Sequence, residues 1–110
     1  LVGSEYVKDL DVIKKMAAKT SSMVIKSVES YVSRNTEEAK EVIEYDDVID
    51  DLFIAEKDEI VRMIGENPKC GSEATDLLMI AKYFERIGDH ASNIAEWALY
   101  AKTGDINVIQ

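Results

Sequence analysis

The feature that most restricts how this chain can fold is a seam of apolar and small residues recurring in alternating steps of four and three. It runs through Tyr6, Leu10, Ile13, Ala17, Thr20, Val24, Ser27 and Tyr31, and Met16, Met23, Val28 and Val32 widen it. Sustained over about four heptads, such a seam specifies one long amphipathic helix that packs along its length. The run Ser33-Arg34-Asn35-Thr36 ends it. Asn35 or Thr36 can cap the next helix, and Glu37 and Glu38 suit that helix's positive end.

A second seam follows through Ala39, Ile43, Asp46, Asp50, Phe53, Lys57, Ile60 and Ile64, broadened by Val42, Ile49, Leu52 and Val61. Gly65-Glu66-Asn67-Pro68 stops it, with glycine expected as the C-terminal cap and proline unable to continue the ladder. The third seam reads Ala74, Leu77, Leu78, Ala81, Phe84, Gly88, Ala91, Ala95, Ala98 and Leu99, with Ser72 as a possible cap and Gly104 as the stop. The predicted helices lie near residues 5–34, 37–64 and 71–102. Short connections force neighbours to run antiparallel. The expected fold is therefore all-α: an antiparallel up-down-up three-helix bundle forming one domain over residues 1–110.

Composition narrows the function. With 22 acidic against 13 basic residues and a net charge of −9, the surface repels nucleic-acid backbones and attracts cations or basic partners. Cys70 is a lone cysteine, so no internal disulfide can form. No stretch approaches the ~18 uninterrupted apolar residues of a membrane span, and no basic start followed by an apolar run suggests a signal peptide. The chain opens at Leu1 rather than at methionine, as a fragment or processed product would.

Two positions of the second seam are wrong for a core. Asp46 and Asp50 stand one turn apart where leucine or isoleucine belongs. On the third helix Glu85 and Asp89 repeat the acidic-x-x-x-Asp spacing, and their face continues to Asn93 and Glu96. Asp50 lies 15 residues before Gly65 and Glu85 lies 14 after Gly71. At ~1.5 Å per residue both sit roughly 21–23 Å from the shared loop. Asp46 and Asp89, 19 and 18 residues from those loop ends, are level in the same way. The hairpin thus sets Asp50 against Glu85 and Asp46 against Asp89.

Four carboxylates at a helix interface repel one another unless a proton or metal neutralises them. Oxygen-only ligands suit hard ions such as iron, manganese, magnesium or calcium, and also accept zinc. The small residues Gly88, Ala91 and Ala95 leave room beside the acids, and Asn93 adds a carbonyl. Against this stands the plain reading that acidic pairs on helices are usually solvated, as Asp47 and Asp51 are expected to be. His90 points about 100° away from Asp89 and is a flank residue. Arg86 is expected to pair with a carboxylate. Trp97 and Tyr100 read as packing, with Trp97 at an edge that can meet another domain.

The run Glu85-Arg86-Ile87-Gly88-Asp89-His90-Ala91-Ser92-Asn93-Ile94-Ala95-Glu96-Trp97 resembles the signature of the PhoU family. Asp46-Asp47-Val48-Ile49-Asp50 resembles that family's second-helix motif, and the likeness spans essentially the whole chain. The family is built from two tandem three-helix bundles. Asn93 to Trp97, followed by Tyr100 and Thr103-Gly104, resembles the end of the C-terminal one, so a first bundle is missing. The resemblance implies a non-enzymatic cytoplasmic regulator of phosphate uptake and of the phosphate-starvation response. It would couple a phosphate ABC transporter ATPase to a sensor histidine kinase, and would pair with a second repeat or form a homo-oligomer. It also implies a metal site, carried over onto Asp46, Asp50, Glu85 and Asp89, with Asn93 and Glu96 at its margin.

Two other readings compete. A ferritin-like di-metal enzyme would need paired Glu-x-x-His motifs in a four-helix core, whereas this chain has one histidine and three helices. A helical adaptor without metal would use the acidic patch to dock a basic partner, and only metal analysis separates it from a metal-binding regulator.

Overall fold

In a computed structural model that describes residues 3–103, with side chains placed for residues 10–101, three long helices form a bundle 53 Å long. They are α1 (Gly3–Ser33), α2 (Thr36–Glu66) and α3 (Gly71–Thr103), with a single 3-10 turn at Pro68–Cys70 before α3. No strand occurs among the described residues. Tyr6 of the first seam and Gly104, expected to stop the third, lie outside the residues whose side chains are described.

The α1–α2 connection shows why the chain turns there. Arg34 adopts a left-handed conformation with φ 57°, and the Asn35 amide donates to the Ser30 carbonyl at 3.0 Å. A backbone amide reaching back five residues past a left-handed residue closes the last turn of α1. The Asn35 side chain then accepts from the Glu38 amide at 3.1 Å, capping α2. At the other end Gly65 does not stop α2. The helix continues to Glu66, and Asn67 caps it by donating its amide to the Met63 carbonyl. Proline at 68 is the true breaker, because a glycine in helical φ/ψ is merely a weak helix former. Ser72 lies inside α3 and does not cap it, since the 3-10 turn feeds the helix directly.

Two apolar clusters stack along the bundle. The larger holds Met16, Met23, Val42, Ile49, Ala91 and Ala95, and the smaller, near the α2–α3 turn, holds Ile13, Ile60, Met63, Ala74, Leu77 and Cys70. Each large side chain removed from water here contributes about 1.5–3 kcal/mol. Small residues of α3, among them Ala81, Gly88 and Ala91, are buried, as are Thr20, Ser27 and Ser30 of α1. Those hydroxyls bond to carbonyls of their own helix: Thr20 to Met16 at 2.9 Å, Ser27 to Val24 at 2.8 Å, Ser30 to Ser27 at 2.7 Å. They therefore need no partner across the interface.

The seams are rotated from their sequence placement. On α1, Tyr31, Val28 and Val32 are exposed, and Ser30 takes the core position. On α2 the buried line is Ala39, Val42, Ile49, Glu56, Ile60 and Met63. Lys57 and Val61 are exposed, while Glu56 is only 2% exposed. Centring the second seam on Asp46 and Asp50 turns it by about one residue. In the folded bundle Ile49 occupies the centre and the two aspartates flank it, half-buried, at the border with α3.

Candidate carboxylate site

Asp46 and Asp50 sit one turn apart on α2, and α3 runs antiparallel beside them. One carboxylate oxygen each from Asp46, Asp50 and Asp89 lie within 4.8 Å of one another. The pairing follows the register: Asp89 is the hydrogen-bond neighbour of Asp46, and Glu85 is that of Asp50. Glu85 also accepts from Lys82 Nζ at 2.5 Å, and the same ammonium lies 5.0 Å from the centre of the Phe53 ring.

Electrostatics here works against ionisation. Burial, then the Asp89 and Asp50 charges, raise the Asp46 pKa from 3.8 to about 7. Asp50 is raised by the same kind of burial and by the Asp89 and Glu85 charges. One oxygen of Asp46 is buried without a hydrogen-bond donor. A Cβ at Gly88 would stand 3.5 Å from that oxygen and 3.4 Å from Ile49, so glycine leaves the space beside it open. A buried, donor-free carboxylate oxygen among acids that raise one another's pKa calls for a proton or a cation to neutralise it.

The other residues named from the sequence divide. Asn93 is exposed, and Glu96 is half-buried on the same helix but outside the three-carboxylate group. Arg86 does not serve the acids: its guanidinium lies 5.9 Å from the Tyr83 ring centre, and Lys82 is the cation against Glu85. Lysine at 82 is i, i+3 from Glu85, a spacing that could have revealed it. His90 is exposed. Trp97 and Tyr100 meet edge-to-face at 5.6 Å, with Trp97 still 54% exposed. Cys70 is buried, its thiol 3.8 Å from the Met63 carbonyl.

Residues 13–98 match the PhoU domain, a span that contains all four carboxylates and both helices that carry them. The chain belongs to the PhoU family. Among its relatives are phosphate-specific transport system accessory protein PhoU homologs. The one from Clostridium acetobutylicum is 35% identical over 100 residues, which is 88% of this chain and 46% of that protein. The one from Rhizobium meliloti is 42% identical over 74 residues, 67% of this chain and 31% of that protein. A Thermotoga maritima homolog is 34% identical over 99 residues, 90% of this chain and 42% of that protein. This PhoU chain thus spans less than half the length of the relatives it matches. Among its described residues no helix is long and apolar enough to cross a membrane.

Proposed function

We propose that this PhoU chain is one repeat of a non-enzymatic cytoplasmic regulator of phosphate uptake, and that its α2–α3 carboxylates hold a hard cation. Membership of the family and the place of its relatives in phosphate-specific transport support the first part. The observation that carries the second is the convergence of Asp46, Asp50 and Asp89 within 4.8 Å, with one Asp46 oxygen buried without a hydrogen-bond donor. Asp46, Asp50, Glu85 and Asp89 would supply the oxygens, with Asn93 and Glu96 as outer contributors. A bound di- or trivalent ion would supply positive charge where the chain has only mutual repulsion. Iron, manganese, zinc and magnesium all accept such oxygen donors. Because Asp46 titrates near neutrality, the ion displaces a proton, and its affinity rises with pH.

The test is elemental analysis of Asp50→Asn combined with Glu85→Gln, with and without chelator. Metal per chain falls to background, while the apo bundle stays helical and gains stability because repulsion is removed. Unchanged metal content in the double variant refutes the site. A helical adaptor without metal predicts the same gain in stability and no metal in either protein.

For partners, the relatives' names support association with the phosphate transporter. We extend this to the transporter ATPase and to a sensor histidine kinase, whose output the regulator would set according to phosphate supply. Co-purification with each, at high and low phosphate, tests the two separately. The proposal also includes pairing with a second three-helix repeat or a second copy. It is supported by the chain spanning less than half of its relatives and by exposed apolar side chains on α1 and α3.

A further inference from the structure

On the side of the bundle opposite α3, α1 and α2 enclose an open groove of about 620 Å3. Met23 and Val42 form its floor and Val48, 39% exposed, stands at its margin. The walls differ in charge: Lys19 and Lys26 come from α1, Glu41 and Glu44 from α2. Counted over the whole helices, whichever way each residue faces, the charge balance differs in the same sense. Between Thr36 and Glu66, α2 carries twelve acidic and three basic residues, whereas α1 carries four acidic and five basic. The acidic excess of α2 equals the net charge of −9 for the whole chain.

We infer that the α1–α2 face seats a second copy of this chain across a two-fold axis parallel to the bundle. That operation exchanges α1 and α2 in projection without shifting height, so each copy lays its basic wall on the other's acidic wall. The heights agree. Lys19 Nζ donates to the Tyr45 hydroxyl at 2.7 Å, which fixes Lys19 level with Tyr45. Because the helices are antiparallel, Lys26 lies further along α1 in the direction in which Glu44 and Glu41 follow on α2. A purely basic partner would meet Lys19 and Lys26, and a purely acidic one Glu41 and Glu44. A second copy offers both signs in the complementary order. Helices of 31 residues make the face about 46 Å long, and with two helices across it its area is on the order of 1,000 Å2, sufficient for the ~800 Å2 per partner of a stable interface. Exposed ion pairs are individually weak. They set orientation here, and Val48 and Tyr45 laid across the opposite floor supply apolar contact.

This inference goes beyond the pairing proposed above, which uses the opposite, apolar side of α1. The test is therefore run in a Val28→Asp, Ile87→Asp background that silences that side. Sedimentation velocity should show a concentration-dependent dimer in this background. Lys19→Glu with Lys26→Glu should raise its dissociation constant at least tenfold, and Glu41→Lys with Glu44→Lys should do the same. An equimolar mixture of the two reversed proteins should recover the dimer, because every wall then meets its opposite. Circular dichroism checks that both remain helical, and the milder Lys19→Gln with Lys26→Gln should weaken the dimer by a smaller factor. A strict monomer in the background, a dimer indifferent to the reversals, or reversed proteins that fail to recombine would each overturn the assignment.

Discussion

Asp46 concentrates the tension of this molecule in a single side chain. Its carboxyl is pushed to about 7 by burial, then by Asp89 and Asp50, so the folded chain holds a proton there that the unfolded chain has released by about pH 4. Because the folded pKa is raised, the group costs nothing at or below pH 4. The penalty grows as pH climbs and is complete above about 7. The melting temperature of the apo protein is expected to fall between pH 5 and pH 8. Asp46→Asn removes the titrating group, so the variant should lose less over the same interval and overtake wild type at pH 8. Matching pH profiles for the two proteins would show that Asp46 ionises normally. A hard cation added at pH 8 should restore wild type more than the variant, since only the wild-type site holds the full charge.

At the scale of the helices, period and punctuation were enough to read three elements, their antiparallel order and the level of each acid. Counting from a shared loop needs only a fixed rise per residue, which is why Asp46 matches Asp89 and Asp50 matches Glu85. What pattern could not supply is rotation about the helix axis. Thr20 and Ser27 are buried where the first seam placed them, but two polar residues outside the predicted seams also entered the core: Glu56 on α2 and Ser30 on α1. A hydropathy pattern registers such residues as surface, although a hydroxyl bonded to its own helix packs like a small apolar group. Cation placement was legible in the i, i+3 spacing of Lys82 and Glu85 but was given to the wrong residue, because Arg86 turns to Tyr83 while Lys82 meets Glu85. The end of α1 holds an avoidable strain that no pattern disclosed: Arg34 at φ 57°. Left-handed backbone costs a non-glycine residue about 1–2 kcal/mol, partly offset in a glycine variant by its freer unfolded chain. Arg34→Gly should therefore stabilise the bundle by about 0.5–1 kcal/mol, read as a shift of the urea midpoint with unchanged slope. A destabilised variant would show that the turn relies on the arginine side chain.

As a whole the bundle presents three sides of different chemistry, one along each helix pair. The α2–α3 side gathers the carboxylates and the α1–α2 side sets lysines against glutamates. Along α1 and α3 two stripes of exposed apolar residues run among the charged ones. Ile25, Val28 and Val32 follow one another at i, i+3 and i+7, as do Ile80, Tyr83 and Ile87, and all six are more than a third exposed. Six such side chains in two stripes exceed the scattered apolar exposure of an ordinary monomer surface. A chain spanning less than half of its relatives leaves unaccounted a length sufficient to cover them. Neither stripe carries a charge pattern that would orient a partner, so the contact made here is expected to be driven by area and to persist in high salt. Static light scattering at 0.5 M salt should then still report association of the isolated chain. At the same 0.5 M salt, where the charged α1–α2 pairing is screened, Val28→Asp together with Ile87→Asp should reduce that species to a monomer without loss of helicity, because both positions are already exposed. Monomeric behaviour of the wild-type chain at high concentration, or association untouched by the two aspartates, would refute pairing along α1 and α3.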